Sequence, residues 1–169
     1  HRMIANDYAI DMILRGHTVW TEHEIQRGLP NNFPDIRTPK GQAKIPDVLT
    51  ETQGYYRWIE VEHAPKKRVR IQQILSLAEH HVTFNAEHND NENHGEYIFH
   101  SLVFVVPNKS SLRSVLRQIR ARNMNPDITG YICLDYVEMT SGLAWKGSSG
   151  EPLSVQQWFA LFKQYDEKL

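Results

Sequence analysis

Three acids carry the chemistry this sequence offers. Asp47 stands in residues 45–52 (IPDVLTET), and Glu60 and Glu62 stand in residues 55–62 (YYRWIEVE). The second run alternates, so Tyr56, Trp58, Glu60 and Glu62 share one face while Tyr55, Arg57, Ile59 and Val61 share the other. Two carboxylates beside a tyrosine and a tryptophan are costly to bury unless positive charge neutralises them. If the two runs pair as a hairpin through a turn at Gly54, Asp47 comes beside the glutamates. Oxygen donors gathered in this way suit a hard divalent cation, magnesium or manganese. Such an ion activates water and stabilises charge developing on a phosphate under attack. The plainer alternative is a solvated hairpin edge with ordinary surface acids.

The elements around these acids must hold them in place. Residues 3–15 have apolar side chains near helical spacing and stop at Gly16. Residues 17–25 predict a short extended piece or the start of a second helix. Residues 28–44, with three prolines and two glycines, predict a loop. After the hairpin the period turns helical from Lys66 to about His81, on Val69, Ile71, Ile74, Leu75, Leu77 and Ala78. Residues 85–96 are polar throughout and predict a loop. Residues 97–106 form an apolar run expected of a strand buried on both faces. Ser110 is the expected N-cap of a helix over 111–122, with Leu112, Val115, Leu116 and Ile119 as its core stripe. A strand over 128–139, a glycine- and serine-rich loop holding Trp145, and a closing helix over 155–162 complete the expected pattern. Strands in succession followed by βαβ crossovers imply an α/β (α+β mixed) fold, with a central mixed sheet flanked by helices.

Pro46-Asp47, a thirteen-residue step, and then Glu60-Val61-Glu62 resemble the PD-(D/E)XK nuclease superfamily. The hairpin, the helix after it and the βαβ return are similar to that superfamily's restriction-endonuclease-like core. Pro34-Asp35 repeats the first half of the motif, but strand residues Val48 and Leu49 follow only Asp47. A looser likeness runs from the N-terminal V-W-T-E-H-E and the later I-P-D…W-I-E-V-E…K to replication-relaxation and mobilisation proteins of bacterial plasmids and integrated elements. The resemblance implies a metal-dependent DNA endonuclease from a mobile element or defence system. Asp47, Glu60 and Glu62 would be catalytic and hold Mg2+ or Mn2+, with Glu24 (or Glu22) added from the first helical region. The superfamily usually has lysine where this chain has Glu62, so Lys66, or Lys67 beside it, would supply the missing cation. Gln72 and Gln73 fall where related nucleases place a polar residue near the phosphate. DNA is the implied partner, and a homodimer is a common state among such nucleases. Because the lysine is displaced, a catalytically inactive DNA-binding or interaction module on the same fold stands as the alternative.

Charge, taken by segment, points to where DNA would lie. The chain has 169 residues, with 19 Lys+Arg against 20 Asp+Glu and a formal net charge of −1, which excludes a wholly basic coat. Lys66, Lys67, Arg68 and Arg70 crowd one helix start, where positive charge opposes the helix dipole; Lys67, Arg68 and Arg70 are expected to face DNA phosphate, with a solvated helix start as the alternative. Arg113, Arg117 and Arg120 recur on one helix, with Lys109 and Arg122 nearby, and no acid lies between Glu96 and Asp127. This is the expected phosphate-contacting face; a solvated outer face explains the same pattern. His63 either positions water or a phosphate or simply ends the strand.

The single cysteine, Cys133, excludes an internal disulfide framework and a cysteine-based zinc site. Among nine histidines, His80, His81, His88 and His94 cluster without metal-site spacing. With 40% hydrophobic and 23% charged residues, the chain has the composition of a globular domain. No run approaches the roughly 18–20 apolar residues of a membrane span, so no membrane partner is expected. One domain over residues 1–169 and a cytoplasmic location are expected, and the opening His1 fits the C-terminal part of a longer protein.

Overall fold

A computed structural model describes residues 2–31, 44–53, 55–63, 68–88, 99–139, 145–148 and 152–164. Among these, the elements run α1 (Arg2–Leu14), β1 (Thr18–Thr21), α2 (Glu22–Gln26), β2 (Val48–Thr52), β3 (Tyr55–Val61), α3 (Arg68–His88) and β4 (Phe99–Val106). They continue through α4 (Lys109–Arg122), α5 (Pro126–Gly130), β5 (Ile132–Met139), β6 (Trp145–Ser148), β7 (Leu153–Ser154) and α6 (Val155–Gln164). The strands form one mixed sheet in the order β1-β2-β3-β4-β5-β6, with β7 also on β5. β1, β2 and β3 pair antiparallel; β3, β4 and β5 pair parallel. The expected α/β fold with a mixed central sheet flanked by helices is the observed one.

Two crossovers, through α3 and through α4 with α5, step the same way across the sheet. Crossovers of common hand then leave their helices on one face. Ile71, Ile74 and Leu75 of α3 and Leu112, Val115, Leu116 and Ile119 of α4 pack there, with Val155 and Phe162 at the closing helix. They meet Trp58, Leu102, Phe104, Val106, Ile132 and Leu134 from the sheet. The opposite face of the same strands, Ile59, Val61, Val103, Val105 and Val137, packs on Ile4, Ala5, Tyr8, Ala9 and Met12 of α1. β4 therefore alternates between two cores, as a strand buried on both faces must. Gly16 follows α1 at φ +87°, a left-handed conformation that suits glycine.

Five expectations need correction. Asp47 lies one residue ahead of β2 rather than within the strand, although its backbone N–H still donates to Ile59 O at 3.0 Å. Helix α3 continues to His88, so residues 85–88 are helix rather than loop; no glycine or proline interrupts the chain there, and polarity alone does not stop a helix. The N-cap of α4 is Asn108, not Ser110: its side chain accepts from Ser111 N at 2.8 Å. Residues 128–130 are the end of α5, which Asn125 caps and Pro126 opens, so the strand begins only at Ile132. Trp145 belongs to β6, paired antiparallel with β5, rather than to a loop.

Candidate carboxylate site

The hairpin brings Asp47 and Glu60 together at the carboxyl end of β3, beside the first turn of α3. Val48 pairs with Ile59, which sets Asp47 next to Glu60 across the two strands. Where the β2 ladder stops, the Asp47 side chain takes over: its Oδ2 accepts from Val61 N at 2.8 Å. Glu60 lies on the face of buried Trp58, and Trp58 Nε1 donates to Glu60 Oε1 at 2.9 Å. Glu60 is 0% exposed and Asp47 only 6%.

Two cations balance this buried charge. Lys44 Nζ lies 3.0 Å from Glu60 Oε1 and 3.3 Å from Oε2. Arg70 Nη2 lies 3.6 Å from Asp47 Oδ1 and 3.6 Å from Glu60 Oε2, so one guanidinium nitrogen bridges the pair. Arg70 was expected to face DNA; here it meets the acids. This contact also explains how a positive charge is accommodated near a helix N-terminus. Burial pushes the Glu60 carboxyl above its ordinary range, and neighbouring Asp47 adds to the rise; Lys44 and the Trp58 N–H act against it. Lys44 escaped the sequence analysis. The available signal was a lysine three residues ahead of Asp47.

The remaining expected site residues are distributed differently. Glu62 is buried just beyond β3, and its N–H donates to Val105 O at 2.8 Å. Among the described residues no three or more Asp, Glu, His or Cys side chains form a group that could hold a metal, so the acids gathered here are a pair. The α2 start approaches this pair through its backbone, with Glu22 N donating to Asp47 O at 3.2 Å. The Glu24 carboxylate, however, accepts from the N–H and the hydroxyl of Thr21, both at 2.8 Å, in a capping box. These bonds hold its carboxyl below the ordinary carboxylate range. Lys66 and Lys67 lie outside the described residues, and Arg68 opens α3.

The expected phosphate-contacting face on α4 is largely engaged within the protein. Arg120 lies over the Phe159 ring at 4.9 Å and Arg113 over Phe162 at 5.9 Å, both on α6. Arg117 is exposed, and its Nε donates to Arg113 O at 3.3 Å. Arg122 clamps α4 to α3: it pairs with Glu79 and donates to Gln72 Oε1 at 2.7 Å and Ser76 Oγ at 2.8 Å. Gln72 is thus a strut between helices, whereas Gln73 is exposed. His63 lies two residues beyond β3 rather than ending the strand, and its carbonyl accepts from Asn108 Nδ2 at 3.2 Å.

A fourth buried acid among the described residues went unnoticed in the sequence. Asp135, in the middle of β5, is 0% exposed and accepts from Tyr8 Oη at 3.1 Å on the α1 face. The signal was a carboxylate inside a run expected to be buried, which demands a donor.

Compared with known proteins, the chain matches no family model, no curated protein and no solved structure. No helix among the described residues is long and apolar enough to cross a membrane.

Proposed function

We propose that this protein is a metal-dependent nuclease acting on DNA, with Asp47 and Glu60 as its metal-holding pair. The observation that carries the proposal is the pair itself. Two carboxylates are buried at the carboxyl end of a strand, next to a helix N-terminus, where α/β sheets often bind ligands. Burying two acids there is unfavourable for a purely structural purpose, and cations must offset it. The donor set fits magnesium or manganese: it is all oxygen, and magnesium commonly takes one or two protein carboxylates while water and phosphate complete its shell.

A bound ion would supply activation of water and neutralisation of charge at the scissile phosphate. The protein's own residues have separate tasks. Asp47 is fixed by the Val61 N–H and Glu60 by the Trp58 N–H, so neither carboxylate needs to reorient on binding. Lys44, close to Glu60, would stand near the phosphate charge in the role assigned to Lys66 from the sequence. Glu62 stands next along the same strand direction, where it would orient water. The sequence resemblance gives the biological setting, a bacterial mobile element or defence system.

One observation favours a second reading. Lys44 and Arg70 already balance the pair, so the site also suits an inactive nuclease-fold module in which the acids and cations form a structural cluster. Supercoiled plasmid incubated with the protein, with and without magnesium or manganese, separates the two. Nicking that requires metal and disappears in an Asp47→Ala/Glu60→Ala variant is expected. No nicking by the wild type, or equal nicking by both proteins, would overturn the nuclease.

A further inference from the structure

We infer that Arg70 is a displaceable counter-ion, which holds the Asp47/Glu60 pair in the absence of metal and leaves it when a divalent cation binds. This rests on the metal-site reading above and adds to it a regulatory residue. The two cations at the pair are not equivalent. Lys44 contacts both oxygens of Glu60 at 3.0 and 3.3 Å, and its side chain is 19% exposed. Arg70 sits farther out, at 3.6 Å from each acid, and its side chain is 40% exposed. Its Nη2 faces both Asp47 Oδ1 and Glu60 Oε2, the two acids that a shared cation would also contact.

A long, partly solvated ion pair is worth little, so a competing divalent ion can replace it at low cost. Without Arg70 the pair would keep Lys44 on Glu60 but lose the charge that faces both acids, and the repulsion between the two buried carboxylates would rise. Arg70 therefore maintains the pocket when it holds no ion and weakens metal affinity by competition. Once released, its guanidinium stands in the first turn of α3, free to take a phosphate oxygen, to which its planar fork is suited. By linkage, a phosphodiester that captures Arg70 then raises the affinity for metal, and metal raises the affinity for DNA.

Terbium(III) luminescence tests this directly, because Trp58 donates to Glu60 and would sensitise an ion bound there. The full chain is titrated with terbium, and magnesium then competes, for the wild type, Arg70→Met, Arg117→Met and Asp47→Asn/Glu60→Gln. Arg117 is the control for losing a charge elsewhere on the surface. We expect Arg70→Met to bind terbium and magnesium about fivefold more tightly, the scale of a weak exposed ion pair. Arg117→Met should stay within about twofold of wild type, where remote exposed charges are screened, and the double variant should lose the signal. An Arg70→Gln variant is a second test should the methionine variant fold poorly. Unchanged or weaker binding by the Arg70 variants, or equal tightening by Arg117→Met, would overturn the inference while leaving the metal site standing. Absence of binding by the wild type would remove the metal site and the inference with it.

Discussion

Glu60 shows how one side chain links burial to pH. Fully buried, its carboxyl keeps its proton more readily than it would in the unfolded chain. The native state then binds more protons than the unfolded state between the ordinary carboxylate value and the raised one. Stability from this group is present below the ordinary value and is lost as pH rises through the raised value. Glu24 has the opposite sign: its carboxyl is held down by Thr21, so its contribution is present above the ordinary value and lost as pH falls through the depressed one. Urea denaturation across roughly pH 3 to 7 checks both. Glu60→Gln should remove a gain in stability on acidification, and Glu24→Gln should remove a loss at the acid end. Slopes identical to wild type in both variants would contradict the assignment. That Glu60 and Trp58 share a face follows from strand alternation. That Lys44 reaches Glu60 does not, because the approach of Lys44 depends on how the segment before β2 enters the sheet.

At the scale of elements, capping and packing set boundaries that periodicity leaves open. Asn108 joins two elements: its side-chain Oδ1 accepts from Ser111 N and caps α4, and its Nδ2 donates to the His63 carbonyl two residues beyond β3. Asn108→Ala should therefore cost about 0.5–2 kcal/mol in chemical denaturation, the usual range for a lost N-cap. Ser110→Ala, at an exposed position in the first turn, should stay within about 0.5 kcal/mol of wild type. The reverse ranking would restore Ser110 as the cap. The same limit explains α5: the run from Ile128 to Met139 is apolar, but Asn125 and Pro126 open a helical turn before the strand. It also explains the tail of α3, where polar residues continue the helix to His88.

For the whole molecule, the two faces of the sheet decide which charges remain available to a partner. The arginines of α4 follow a helical stripe that suits a phosphate backbone. Yet α6 packs on the same side of the sheet, and Phe159 and Phe162 engage Arg120 and Arg113. These arginines therefore contribute to stability. Arg113→Ala with Arg120→Ala should lower unfolding stability by about 1–2 kcal/mol, from two lost cation–π contacts. Arg117→Ala should leave it nearly unchanged. Equal stability of the double variant and wild type would return the stripe to solvent, where DNA could reach it.

The hairpin, the two-faced burial of β4, the core stripe of α4 and the adjacency of Asp47 and Glu60 were legible in the residues themselves. Each follows from a local rule: alternation along a strand, 3.6-residue periodicity along a helix, and the pairing of neighbouring strands. What only the tertiary structure decided depends on groups distant in sequence. Arg70 turns from an expected DNA contact into a bridge across two buried acids, Arg122 ties α4 to α3, and Tyr8 meets Asp135 from the far end of the chain. A charged side chain carries no periodic sign of its partner. Its partner is settled by which surfaces the sheet and helices bring together, and by the cost of leaving a buried charge unbalanced.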